Sequence, residues 1–308
     1  MLSNNQIKNL AKRAGFSDCG ITSPILLPNN RIALEQWTQS GFHGDMKFLE
    51  SNNHIRENIA FLFPEVKSVI VCLLNYKQEN DQIRSTQLGQ ISHYALGEDY
   101  HFTVKNKLMN LLDLIREISP ETNGKYFTDS APIFEREYAK RAGLGWIGKN
   151  TLLLNQKNGS YFFIGILLID QVAENDVPFP TGHCGSCTSC IDHCPTQAIS
   201  ADGKLNATKC ISYLTIEKKG TELDENLTTE NWIWGCDICQ DVCPWNIRFS
   251  KPTEVEEFRP DPNLKNLTIY DLENLSENGF RRKFPKSPLI RRGKKGLLRN
   301  IGWIKNRK

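Results

Sequence analysis

The chain has 308 residues, 39% hydrophobic and 24% charged, with a mean hydropathy of −0.43; it is too long for a peptide scaffold and too apolar for a disordered chain. Its net charge of +3 hides an uneven distribution: twelve of the 38 Lys and Arg lie beyond residue 277 with no Asp or Glu among them, which leaves 26 basic against 35 acidic side chains before it. The longest apolar stretch, Tyr161 to Ile169, has nine residues against the ~20 of a membrane-spanning helix, and no secretory leader is visible after Met1, so a cytoplasmic protein without a membrane partner is expected.

The first 175 residues read as a mixed α/β unit. Ser3 caps a helix that sets Ile7, Leu10, Ala11 and Ala14 on one face and stops at Gly15. Residues 67–76, β-branched and apolar, predict a buried strand. Val104, Leu108, Leu111, Leu112, Ile115 and Ile118 repeat at helical spacing and end before Pro120. An extended piece at 125–127 follows, then a short helix over Glu135–Arg141 that ends near Gly143. Residues 151–155 and 160–170 flank Asn158-Gly159, which predicts a hairpin and argues against a purely doubly wound sheet. Pro178 to Gly182 is a linker into a cysteine-rich unit over 176–250. Residues 251–308 are basic with short apolar pieces, and nothing after Phe258 predicts a third independent core.

Eight of the ten cysteines lie between Cys184 and Cys243, a window of 60 residues. Cytoplasmic proteins rarely use disulfides, so such a cluster reads as metal ligation. Cys184-x2-Cys187-x2-Cys190-x3-Cys194-Pro195 is the bacterial-ferredoxin spacing for a [4Fe–4S] cluster, in which the fourth cysteine reaches the other cluster. The second run, Cys236-x2-Cys239-x3-Cys243-Pro244, lacks its first cysteine, and Cys210 is the substitute. Exchanging fourth ligands assigns Cys184, Cys187, Cys190 and Cys243 to one cluster and Cys194, Cys210, Cys236 and Cys239 to the other. Four-cysteine zinc sites share the C-x2-C pairs, but the tight triplet and the two Cys-Pro endings favour iron–sulfur. Cys19 and Cys72 read as buried free thiols.

Two phosphate-binding patterns fail on context. Gly143-Leu144-Gly145-Trp146-Ile147-Gly148 matches G-x-G-x-x-G, yet a helix precedes it and a strand-like stretch follows, the reverse of a dinucleotide fold. Gly143 to Asn150 nearly matches a Walker loop, but Asn150 stands where Ser or Thr must hold magnesium. A glycine-rich turn with Trp146 in the core remains, or a close backbone approach to another large cofactor.

Several segments carry a resemblance: Gly41-Phe42-His43-Gly44-Asp45-Met46-Lys47-Phe48-Leu49 ahead of Arg56, then Tyr94-Ala95-Leu96-Gly97-Glu98-Asp99-Tyr100-His101. Asp129-Ser130-Ala131-Pro132-Ile133-Phe134-Glu135-Arg136 and Ala142 to Asn150 follow, then both cysteine runs through Trp245-Asn246, and Arg291 to Asn300. In this order, over nearly the whole chain, they resemble the epoxyqueuosine reductases, cobalamin-dependent iron–sulfur enzymes of tRNA queuosine synthesis. Some members continue into a helical-repeat domain that is not recognisable here.

The resemblance implies an α+β architecture: a mixed α/β cobalamin-binding domain (1–175) like that of reductive dehalogenases, a ferredoxin-like two-cluster domain (176–250) and a basic, tRNA-contacting segment (251–308). It implies removal of the epoxide oxygen from epoxyqueuosine at the tRNA wobble position, supplied by an external low-potential electron donor. Clusters pass single electrons while the deoxygenation takes two, so a cofactor that stores reducing equivalents is needed between them. Asp129 is the expected proton donor; its carboxyl, ~3.9 when free, would need burial to stay protonated, and its alternative role is to bond the Ser130-Ala131-Pro132 turn. Arg56, Ser92, Asn150, Thr151, Leu153, Tyr213, Asp237, Ile238 and Cys239 are the further cofactor-lining candidates by the same resemblance. Arg56 has a surface-charge alternative. His93 is a cobalt ligand on chemistry alone, but a core role is expected for it, as for His43 and His101, with cobalt free of protein histidine.

The basic end suits a polyanion. Arg281, Arg282, Arg291, Arg292, Lys294 and Lys295 are the candidate tRNA contacts, while Phe284 and Trp303 are expected to anchor a core more than to stack bases. Two other functions fit less of the sequence: a dehalogenase-like cobalamin reductase of small molecules, and a ferredoxin-like carrier, which would need neither Asp129 nor a corrin.

Overall fold

The structure is a computed structural model that describes residues 2–79, 84–180 and 182–305; Thr181 of the linker and Arg307 and Lys308 of the basic end lie outside the described residues. Five strands come from the front of the chain: β1 (Asp18–Thr22), β2 (Ser68–Asn75), β3 (Ser85–Thr86), β4 (Gly89–Ile91) and β5 (Gly124–Phe127). Four follow: β6 (Trp146–Ile147), β7 (Leu153–Leu154), β8 (Phe162–Ile169) and β9 (Trp232–Trp234). The main sheet runs β1-β2-β8-β5 with every pairing antiparallel. Strand periodicity divides its side chains between two cores. Ile70, Cys72 and Leu74 of β2 face the helices Asn4–Arg13 and Tyr100–Ile118, whereas Val69, Val71 and Leu73 face the helix Glu135–Arg141. Both faces are covered, which is why β2 reads as an unbroken apolar run. The expected helices and the buried strand form where their periodicity placed them.

Cys19 and Cys72 are buried free thiols on paired residues of β1 and β2, their sulfurs 3.9 Å apart.

The hairpin expected around Asn158-Gly159 is different. Asn155 and Gly159 close the turn with N–H to carbonyl bonds of 2.7 and 3.0 Å, but the flanking strands separate. β7 turns back onto β6, and β8 enters the main sheet beside β2. The side chain of Asn246 causes the divergence: its Oδ1 accepts from the Ser160 N–H at 2.6 Å and occupies the space over Gly159.

The basic end has no core of its own but completes one begun earlier in the chain. Residues beyond Phe258 form short helices and a final helix, Gly293–Lys305. They bury Leu264, Leu272, Phe280, Phe284, Leu289, Leu297 and Ile301 against Leu88, Ile91, Ile216, Ile233 and Trp234. At about 1.5–3 kcal/mol for each large apolar side chain buried, this is a substantial core, though one shared with the middle of the chain. Phe284 and Trp303 are buried in it and beside it, as core anchors. Each short helix contributes too few apolar residues for its period to be visible; the core exists only when β4 and β9, paired in parallel, supply its other wall.

Candidate active site

The eight clustered cysteines separate into two groups of four. The thiol of Cys190 is pushed up by burial and then by Cys184, Cys243 and Cys187. Cys243 is pushed up by burial and likewise faces Cys184 and Cys187. Cys236, raised by burial, has Cys210 and Cys194 as neighbours, and Cys239, raised by burial, has Cys236 and Cys210. The charge neighbours of each thiol thus come mainly from one set, Cys184, Cys187, Cys190 and Cys243, or from the other, Cys194, Cys210, Cys236 and Cys239. Cys190 also lies close enough to Cys239 to raise its thiol, so the two groups adjoin. The first group borders an open, mainly apolar cleft of about 320 Å³ with Lys149, His183, Trp245, Arg248 and Phe249. Two adjoining sets of four thiols, none engaged in a disulfide, fit a pair of [4Fe–4S] clusters.

Side chains from the front domain lock the second group in place. Asn150 Nδ2 donates to the Cys239 carbonyl at 3.4 Å. The carboxylate of Asp237 accepts from Ser92 Oγ and, at 2.8 Å, from the His93 N–H, and it meets Arg84 at 3.3 Å. Burial pushes the Asp237 carboxyl up to about 6 despite these donors. Asn246, fully enclosed after Cys243-Pro244-Trp245, donates to the Gln240 carbonyl at 2.8 Å and to Ser160 Oγ at 2.9 Å. Sequence reasoning paired neither Ser92 with Asp237 nor Asn246 with Ser160, because each pair joins residues more than eighty positions apart.

Asp129 sits at a loop tip with a left-handed φ of 47°. Its carboxylate accepts from Tyr100 Oη at 2.6 Å, and its N–H donates to Glu135 Oε1 at 2.7 Å. It does not bond the Ser130-Ala131-Pro132 turn in any contact among the described residues. Tyr100 is held for this purpose, stacked between Phe163 at 4.1 Å and His101 at 4.2 Å between ring centres. Burial and the Asp129 charge push the Tyr100 hydroxyl well above the usual phenol range, so it stays protonated and donates to the carboxylate. The expected burial of Asp129 is not found: the residue is exposed. The group that burial pushes up, with help from the Asp129 charge, is Glu135, to about 8. Arg136 donates to the carbonyl of Thr151, a second non-glycine residue at positive φ, 66°. Holding two such conformations costs on the order of 1–3 kcal/mol each. Hydrogen bonds join Cys239 to Asn150, Thr151 to Arg136, and Glu135 to Asp129 and on to Tyr100, and chain neighbours link these pairs in series. Leu153 lies under this line in the core. Tyr100, Glu135 and Arg136 were not assigned roles from the sequence, although each lies within a segment that carries the resemblance.

Other expected residues lie elsewhere. Arg56 is buried, not a surface charge; it donates to the carbonyls of Ser51 and, at 3.2 Å, Phe48. Tyr213 Oη accepts from the Asp45 N–H at 2.8 Å and packs where Gly44 leaves no room for a Cβ. Both residues brace the 43–51 loop, and the Tyr213 N–H also meets the Cys210 thiol of the second group. His93 is buried edge-on to Tyr161, His43 is buried against Glu50, and His101 is bonded to Asp99 at 2.6 Å; these are structural positions.

The basic end is mixed in use. Arg281, Arg282 and Lys283 are exposed at the end of the helix Glu277–Lys283 and meet no carboxylate at ion-pair distance among the described residues, and Lys295 is exposed as well. Arg291 pairs with Glu217 at 2.7 Å. Arg292 donates to the Lys218 carbonyl, and Lys294 to those of Glu273 and Leu275. Arg299 reaches the carbonyls of Lys218, Gly220 and Leu214 and lies over Trp303. No helix among the described residues is long and apolar enough to cross a membrane.

Comparison with known proteins matches two profiles to this chain: "Epoxyqueuosine reductase QueG, DUF1730" over residues 56–130 and "4Fe-4S double cluster binding domain" over residues 183–246. An epoxyqueuosine reductase of Cyclobacterium marinum is 42% identical over 97% of this chain and 96% of its own length. One of Pseudomonas aeruginosa is 39% identical over 96% and 82%. A crystal structure of epoxyqueuosine reductase with an epoxyqueuosine-modified tRNA-Tyr stem loop superimposes with a TM-score of 0.87 at 31% identity, covering 97% of this chain and 80% of that one. The catabolic reductive dehalogenase NpRdhA shares the fold at a TM-score of 0.51 and 17% identity, over 79% of this chain and 32% of that one. With such identity sustained across almost its full length, the chain belongs to the epoxyqueuosine reductase family of oxidoreductases.

Proposed function

We propose that this protein reduces epoxyqueuosine to queuosine at the wobble position of tRNA. Both carbon–oxygen bonds of the epoxide are broken, two electrons and two protons are consumed, and the oxygen leaves as water. Cys184, Cys187, Cys190 and Cys243 hold the cluster nearer the open cleft, and Cys194, Cys210, Cys236 and Cys239 hold the one nearer Asn150. Electrons from an external low-potential donor pass through the first to the second.

The observation that carries this reading is the line of contacts joining Cys239 to Asp129. A cofactor held by these residues would have Cys239 of the second group at one end and Asp129 at the other. Its polar groups, the Asn150 amide, Thr151 hydroxyl, Arg136 guanidinium and Tyr100 hydroxyl, suit the amide-rich rim of cobalamin, and Ser92, Asp237 and Ile238 form the adjoining wall. Bound cobalamin would supply a centre that accepts single electrons and delivers a pair. The chain's own part is protonic and positional. Tyr100 holds the Asp129 side chain and Glu135 its backbone N–H, and Asp129 gives a proton to the departing oxygen. The exposed arginines and lysines of the basic end seat the tRNA phosphates, and the wobble base must leave its stack to reach Asp129.

Mass analysis of tRNA nucleosides from cells lacking the protein tests the assignment. Accumulated epoxyqueuosine, restored to queuosine by the wild-type chain and not by Asp129→Asn, is the expected result. Unchanged queuosine in the deletion refutes it.

A further inference from the structure

The glycine-rich segment that fails as a phosphate loop has a different use in the fold. Gly143 and Gly145 turn the chain at φ 74° and 151°, and a Cβ at Gly145 would overlap the Leu154 carbonyl. The short β6–β7 ladder then anchors Trp146, 1% exposed, among Phe179, His183 and Trp245, the aromatic residues that surround the first cysteine group. Two residues on, Lys149 leaves this anchor towards the cysteine loop. Its ammonium donates to the Gly185 carbonyl at 2.9 Å and to the Cys187 carbonyl at 2.9 Å. One cation thus bridges the loop between Cys184 and Cys187, and it lines the same cleft as all four cysteines of that group. The second group receives no such side chain from this segment; its contact there is the neutral Asn150.

We infer that Lys149 is a positioning residue for the first cluster. It fixes the Cys184–Cys187 loop, and its charge raises the reduction potential of that cluster relative to the second. The inference rests on the reading that the first group ligates a [4Fe–4S] cluster. Reduction adds one negative charge to the cluster, and a fixed cation a few ångströms away stabilises the reduced form over the oxidised one. A raised potential suits the centre at the open cleft, where electrons arrive.

The test is a potentiometric titration of anaerobically reconstituted protein, read by electron paramagnetic resonance, for wild type, Lys149→Met and Lys149→Arg. In Lys149→Met the reduced-to-oxidised ratio of one cluster at a fixed potential should fall about tenfold, which is ~59 mV for a one-electron couple. The other cluster should stay put, and Lys149→Arg should behave as wild type. Equal shifts of both clusters, or no shift in either at full iron content, overturn the inference. If Lys149→Met loses iron, the arginine variant decides: retained wild-type midpoints support the role, and altered ones overturn it. Wild-type protein without cluster signals would instead refute the cluster assignment itself, a result distinguishable from failure of Lys149.

Discussion

The division of labour within the basic end makes a quantitative prediction. Arg281, Arg282 and Lys283 are exposed with no carboxylate at ion-pair distance among the described residues, Lys283 acting on Asp271 only at longer range, whereas Arg299 is spent on four backbone carbonyls and Trp303. If the first three sit on tRNA phosphates, replacing all three by Gln removes three neutralised charges. Each phosphate contact contributes about 0.7–0.9 to the slope of log affinity against log salt, so the slope should become shallower by about 2 to 3. Between 50 and 200 mM salt the wild type would then lose roughly 15- to 60-fold more affinity than the variant. Arg299→Gln should leave that slope alone and lower the melting temperature, because charged hydrogen bonds of this kind contribute about 1.5–3 kcal/mol. Fluorescence anisotropy with an anticodon stem-loop over a potassium chloride series measures the first effect, and thermal unfolding of the same proteins measures the second. An unchanged slope in the triple variant would refute the assignment of this face to tRNA. So would a slope change in Arg299→Gln at an unaltered melting temperature.

Three other expectations address the reaction. Asp129→Asn should retain clusters and RNA affinity while turnover is lost; Tyr100→Phe, which removes one hydrogen bond to a charged group, should slow turnover by roughly tenfold, and equal turnover of Tyr100→Phe and wild type would show that this bond positions nothing. Glu135, pushed up to about 8 by burial and by Asp129, holds a proton at neutral pH that the unfolded chain releases near 4.5. Folding stability linked to it is therefore complete below about pH 4.5 and is lost as pH rises through about 8; turnover should decline over the same upper range, and Glu135→Gln should flatten both profiles. Cys210→Ala should reduce iron from about eight atoms to about four with the first cluster's spectrum preserved, and loss of the first cluster's signal instead would contradict the grouping of Cys210 with Cys194, Cys236 and Cys239.

Much of this could be read from the sequence because the signals were local. An unbroken apolar, β-branched run marked β2 as a buried strand, and helical spacing marked Tyr100–Ile118. The cysteine runs were legible for a similar reason: loop geometry fixes how far apart successive thiolates must stand, and Cys-Pro marks the residue that departs. Asp129 came from a family resemblance and not from any local pattern, and its surroundings were hidden. Tyr100 and Glu135 lie twenty-nine and six positions away, on different helices.

The sequence by itself determined the number of metal-ligating sets, the order of the units and the charge asymmetry, since these depend on spacing and composition alone. Only the tertiary structure decided which cations of the basic end are free and which tie helices to carbonyls, because hydrogen-bond acceptors such as the Lys218 carbonyl carry no side-chain label. It also decided that short apolar pieces after Phe258 amount to a core, and that a lysine in a rejected phosphate motif faces a cysteine loop. A contact between residues far apart in the chain depends on the packing of everything between them, and no window of sequence contains it.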